Sequence, residues 1–116
     1  MSCYRMLIVD DDRSVREALR SALEDEGFTV AVAANGAEAM AKLAERRPRL
    51  VLLDLMMPIV DGWEVLDRMR ADPSLDDVRV CVCSASSADL ATTRADFVLH
   101  KPFDLDALKH VVDAIA

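Results

Sequence analysis

Five short apolar runs punctuate this chain: Met6 to Val9, Phe28 to Val32, Leu50 to Leu53, Val78 to Val82 and Phe97 to Leu99. Each is continuous rather than alternating, the pattern of a strand covered on both faces. Between the runs lie stretches with the three-to-four-residue periodicity of amphipathic helices. Strand and helix therefore alternate, and a helix in each crossover forces successive strands to run parallel with helices on both sides. This alternation constrains the fold more than any other feature of the sequence.

The helices announce their ends. Val15, Ala18, Leu19, Ala22 and Leu23 share one face of a helix predicted over Ser14 to Glu26, with Ser14 and Glu17 as a capping box and Gly27 as the stop. A second helix is predicted from Gly36 to Arg47, carrying Lys42, Arg46 and Arg47 in its last turns, where cations suit the helix dipole, with Pro48 beyond. The third begins near Asp61, with Glu64 three residues on, and fades at Asp72 and Pro73. The last starts after Asp104 and is predicted to bury Leu105, Leu108, Val111, Val112 and Ile115. Only Ser84 to Asp96 remains between the fourth and fifth strands, room for a short or irregular fourth helix around Ala88 to Thr93.

The 116 residues, 53% of them hydrophobic, can bury one core but not two, so residues 1–116 are read as a single domain. With 14 basic against 21 acidic residues the net charge is −7, which argues against direct binding to nucleic acid or to anionic membrane lipid. Charges or turn residues interrupt every apolar run before it reaches the length of a membrane span or a signal-peptide core, so a cytoplasmic protein is expected. Cys3, Cys81 and Cys83 lack zinc or CxxC spacing and read as reduced thiols, with Cys81 and Cys83 filling the core from one face of a strand.

In open parallel sheets, ligands bind beyond the carboxyl ends of the strands, where the winding reverses. Asp10, Asp11 and Asp12 follow the first strand, Asp54 the third, Ser84 the fourth, and His100, Lys101 and Pro102 the fifth. In the flavodoxin-like order 2-1-3-4-5 the first and third strands are neighbours, and carboxylates from two segments meet. Like charges so close need compensation, which a hard divalent cation such as Mg²⁺ supplies through oxygen ligands. Ser84 adds a hydroxyl and Lys101 an ammonium, groups that hold a tetrahedral anion, and the set describes phosphoryl transfer onto an aspartate. Taken singly, each has a plainer reading: an acidic helix cap, turn residues, a loop charge.

The segments Leu7-Ile8-Val9-Asp10-Asp11-Asp12, Val51-Leu52-Leu53-Asp54-Leu55-Met56-Met57-Pro58 with Asp61-Gly62, Ser84-Ala85 and Lys101-Pro102-Phe103 resemble, in this order, the receiver domains of two-component response regulators. The resemblance implies a (βα)5 doubly wound fold. It implies that Asp54 is the phosphoacceptor, taking the group from a histidine kinase or phosphotransfer protein. Asp11 would ligate Mg²⁺ (or Mn²⁺) directly, Asp10 largely through water, Asp54 through its second oxygen and Met56 through its backbone carbonyl. Ser84 and Lys101 would bind the phosphoryl oxygens. On this reading the chain is a signalling switch rather than an enzyme with a separate substrate. No output domain is expected after the last helix, whether the receiver stands alone or was cut from a longer regulator.

Two departures stand out. The family's switch aromatic lies three residues before the lysine, where this chain has Val98, with Phe97 on the opposite face of the strand. The segment from Ser84 to Lys101 is also about one helical turn shorter than the family norm. Two rival functions follow from the residues. Asp10-x-Asp12 with Ser14 mimics the nucleophile motif of haloacid-dehalogenase-like phosphatases, with Asp10 as nucleophile, although the chain has no room for a cap domain. A receiver-like scaffold working without phosphorylation is the other. Arg13, Arg16 and Arg20 read as an exposed face of the first helix that could dock a kinase or simply be solvated. His100 and His110 read as surface or packing residues, and Trp63 as a packing residue.

Overall fold

The computed structural model describes residues 5–54, 62–84, 95–100 and 104–115. All five predicted strands form, with ends shifted by one or two residues: β1 (Arg5–Val9), β2 (Thr29–Ala33), β3 (Leu50–Asp54), β4 (Arg79–Ser84) and β5 (Phe97–His100). They pair in parallel in the order β2-β1-β3-β4-β5. Among the described residues four helices accompany them, α1 (Arg13–Asp25), α2 (Gly36–Glu45), α3 (Gly62–Ala71) and α4 (Leu105–Ile115), with a 3-10 turn at Pro73–Leu75. The short helix expected around Ala88 to Thr93 lies outside the described residues, as does Asp61. No described helix is long and apolar enough to cross a membrane.

Alternation along the strands divides the core in two. Leu7, Val9, Val51, Leu53, Val80 and Val82 point to one face, where Ala39 and Leu43 of α2 and Val65, Leu66 and Met69 of α3 cover them. Met6, Ile8, Leu50, Leu52, Cys81, Cys83 and Leu99 point to the other, against Leu23 of α1 and Leu108, Val111 and Val112 of α4. Fully burying one Leu or Met contributes about 1.5–3 kcal/mol, so these two layers supply the main driving force. Cys81 and Cys83 are free buried thiols within the second layer, as their spacing implied.

Local chemistry adjusts the predicted helix ends. Asp12, not Ser14, caps α1: its carboxylate accepts from the backbone N–H of Ser14 at 2.8 Å and of Val15 at 3.3 Å. A carboxylate at the cap satisfies two orphan donors and complements the positive helix end, so it displaces the expected Ser14–Glu17 box. Gly27 stops α1 as expected, with φ +96° and its N–H on Glu24 O, while the Phe28 N–H returns to Leu23 O. Phe28 itself lies before β2 rather than in it.

The second helix is shorter than predicted, because Arg46 is already extended at φ −160° and ψ 128°. Pro48 disfavours helical backbone at Arg47, so the dipole argument applies to Lys42 alone. At its start Asn35 accepts from Glu38 N at 2.9 Å, and Glu38 in turn accepts from Ala34 N at 2.8 Å. In α4 the prediction fails for Leu105, which is 42% exposed at the first helical position, while Asp104 caps the helix through Ala107 N. Ala18 of α1 is likewise exposed rather than packed.

Candidate functional site

The register decides which strand exits are neighbours. Val9 of β1 pairs with Leu53 of β3, and an aspartate follows each, so Asp10 and Asp54 emerge side by side. Asp54 pairs with Cys83 of β4, Ser84 comes one residue later, and Ser84 pairs with His100 of β5. The Ser84 backbone thus stands one strand over from Asp54. Its side chain, and the whole of Met56 and Lys101, lie outside the described residues.

Asp10, Asp11 and Asp54 converge: each offers a carboxylate oxygen, and these oxygens lie within 4.8 Å of one another. Asp10 and Asp54 are buried, at 4% and 6% exposure, whereas Asp11 reaches solvent. Asp10 is fixed from three directions. Its N–H donates to Ala33 O of β2 at 3.1 Å, its Oδ1 accepts from Asp12 N at 2.9 Å, and its carbonyl accepts from Arg16 Nη1 at 2.9 Å. With all three carboxylates ionised, each pair would repel by roughly 3 kcal/mol at an effective dielectric constant of about 20, and less at exposed Asp11. Among the described residues the converging donors are carboxylate oxygens, which suit a hard divalent ion such as Mg²⁺ rather than zinc.

Asp12 does not join the cluster, because its carboxylate is committed to the α1 cap. The phosphatase reading needs Asp10 and Asp12 to work on one substrate, and the cap holds Asp12 on the helix instead. Sequence reasoning also misjudged Arg16. Read as an exposed docking charge, it is half-buried and turned back onto the acidic loop. The signal was present in its spacing, six residues after Asp10 and one helical turn after Asp12, where a long side chain reaches back toward the helix N-terminus.

The remaining expectations resolve plainly. Trp63 packs half-buried against the core beneath α2 and α3. His110 is exposed, and the His100 side chain lies outside the described residues. Phe97 packs on the layer beneath α1 and α4, while Val98 faces the other way at 39% exposure. A cleft of about 370 Å³ between α2 and the 3-10 turn, lined by Met40, Leu43, Arg46, Arg47 and Leu75, sits at the amino edge of the sheet. Helices run back antiparallel to the strands, so this cleft is remote from the carboxylates, and the chemistry belongs to the cluster.

Comparison with known proteins agrees with the geometry. The family model of the response regulator receiver domain matches residues 6–113. Response regulator MprA of Mycobacterium sp. strain KMS is 42% identical over 90% of this chain, and the chain spans 46% of that protein's length. Chemotaxis protein CheY4 of Vibrio cholerae superposes with a TM-score of 0.90 at 26% identity, covering 99% of this chain and 100% of CheY4. Response regulator TrrA of Thermotoga maritima, solved in complex with Mg²⁺ and BeF, gives a TM-score of 0.85 at 35% identity over 97% of this chain and 98% of TrrA.

Proposed function

Since the chain belongs to the response regulator receiver family of two-component signalling, we propose that it is switched by Mg²⁺-dependent phosphorylation of Asp54. The observation that carries this reading is the meeting of Asp54 with Asp10 and Asp11 within 4.8 Å at the carboxyl edge of the sheet. Asp11, Asp10 and Asp54 would hold the ion, joined by the Met56 carbonyl. A bound Mg²⁺ would offset the negative charge of the carboxylates and of the incoming phosphoryl oxygens.

Asp54 is the nucleophile. One carboxylate oxygen forms a bond to phosphorus as the bond from phosphorus to the imidazole nitrogen of a donor phosphohistidine breaks, and the electron pair stays on that nitrogen. The donor is a histidine kinase or a phosphotransfer protein. Burial of Asp54 at 6% exposure restricts access to donors that can reach into the strand end and limits water at the acyl phosphate. Ser84 and Lys101 would bind the phosphoryl oxygens. The new group brings nearly two negative charges, which draw these residues inward and shift the population between two packings around β4 and β5. The switch acts in the cytoplasm on a protein partner, and Val98 gives it no aromatic rotamer to turn.

Intact mass after incubation with Mg²⁺ and acetyl phosphate tests this. Wild type is expected to gain a single phosphoryl adduct, Asp54→Asn to gain none, and Asp10→Asn to gain less through weakened metal binding. Persistent labelling of Asp54→Asn at Asp10 would reassign the acceptor. A folded, metal-bound wild type without any adduct would make the domain a scaffold that works without phosphorylation.

A further inference from the structure

We infer that Arg16 is a positioning residue for the metal centre, holding the loop that presents Asp11. The inference rests on the Mg²⁺ reading above and adds to it a residue outside the carboxylate set. Arg16 holds the acidic loop through its side chain: its guanidinium Nη1 donates to Asp10 O at 2.9 Å. On the other side the first turn of α1 fixes Asp12, whose carbonyl accepts the Arg16 backbone N–H at 3.0 Å. Asp11 stands between these two anchor points, one supplied by the helix and one by the Arg16 guanidinium.

The bracket matters because Asp11 is the member of the cluster least supported by its surroundings. Asp54 ends a central strand, and Asp10 is buried and bonded to β2. Asp11 instead projects from a turn into solvent, where only the geometry of its neighbours aims it at the other two carboxylates. A half-buried guanidinium suits this role, since its planar fork is rigid and its charge strengthens the bond to a carbonyl. It also sets a fixed positive charge behind a loop that carries Asp10, Asp11 and Asp12, which eases their repulsion before a metal arrives. Residues that hold a metal ligand from behind commonly affect affinity as much as a weak ligand does.

Calorimetric Mg²⁺ binding to Arg16→Met, Arg16→Lys and Asp11→Asn, with urea unfolding of each in metal-free buffer, tests this. Arg16→Met keeps the apolar stem but removes both charge and donor, and its Mg²⁺ affinity is expected to fall roughly tenfold. Arg16→Lys keeps the charge and a flexible donor and should fall between Arg16→Met and wild type. The Mg²⁺ concentration that half-saturates phosphorylation by acetyl phosphate should rise in parallel. An Arg16→Met affinity within about twofold of wild type, as for a neutral surface substitution, overturns the inference, even if its urea midpoint falls. Tighter binding overturns it too, by showing that the guanidinium competes with the ion. Failure of wild type to bind Mg²⁺, or full binding by Asp11→Asn, would instead remove the metal reading on which the inference stands.

Discussion

Two carboxylate centres lie at opposite edges of the same sheet and handle charge in opposite ways. At the carboxyl edge Asp10, Asp11 and Asp54 gather against one another. At the amino edge Asp96 gathers cations: Arg70 of α3 donates to it at 2.9 Å, Arg79 of β4 at 3.3 Å, and the Val80 N–H at 2.9 Å. The Asp96 N–H then returns to Val80 O at 3.0 Å, so one residue ties α3, β4 and the entry to β5 together. The clamp is partly buried, with the side chains of Arg70 and Asp96 17% and 25% exposed. Charge at the amino edge is compensated within the chain and serves stability. Charge at the carboxyl edge is concentrated, three carboxylates within 4.8 Å of one another among the described residues, an arrangement that a cation from solution would offset. One end of the sheet is a brace and the other a concentration of negative charge.

The contrast can be broken at either end. The largest effect is expected from Asp96→Ala, which removes the acceptor of the buried Val80 N–H and one carboxylate partner of Arg70. It should lower the unfolding free energy by about 3 kcal/mol, from the stranded Val80 N–H together with the lost charge-assisted hydrogen bonds. Urea denaturation checks this, and a loss below about 0.5 kcal/mol would rank the clamp with ordinary surface pairs. Mg²⁺ comes next: at a hundred times its dissociation constant it should stabilise the wild type by about 2.7 kcal/mol and leave Asp11→Asn nearly unmoved. In metal-free buffer Asp11→Asn should have the sign opposite to Asp96→Ala, gaining about 1 kcal/mol as repulsion is relieved. Destabilisation by Asp11→Asn would show that the cluster is already balanced within the fold.

Asp72 offers the smallest and sharpest test. It belongs with the compensated kind: the Ser74 hydroxyl at 2.7 Å and the Ser74 N–H at 3.0 Å both donate to it, and Arg47 lies nearby. These bonds, the hydroxyl foremost, hold its carboxyl below the ordinary value of 3.8. A carboxyl lowered on folding contributes stability that is present above the ordinary value and is lost as pH falls through the lowered one. Asp72→Asn should therefore lower stability slightly near neutrality, match the wild type well below about pH 4, and so flatten the acid limb of the stability curve. An unchanged acid limb would mean that Ser74 serves the turn without favouring the charged form.

Legibility in the sequence followed distance along the chain. Gly27 as the end of α1, the five strands and the aspartates at the carboxyl ends of β1 and β3 were readable because a few adjacent residues encode them. The cap of α1 was misassigned to Ser14 because the Ser14–Glu17 spacing fits a capping box, and only the turn of the backbone sends Asp12 to the helix while Asp10 and Asp11 face the cluster. The Asp96 clamp left no trace, since its partners lie 26 and 17 residues away in sequence and meet only when α3 and β4 dock. Exposure of Leu105 had the same origin, because an apolar residue at the right helical position is buried only if something covers it.

By itself the sequence determined the alternating elements, the parallel sheet and the identity of the residues delivered to its carboxyl edge, because hydrophobic periodicity and strand length are local properties of the chain. The tertiary structure decided which of those residues meet, which arginine turns inward and which carboxylate is braced. Those outcomes depend on register and packing between segments far apart in sequence, and no single segment carries that information.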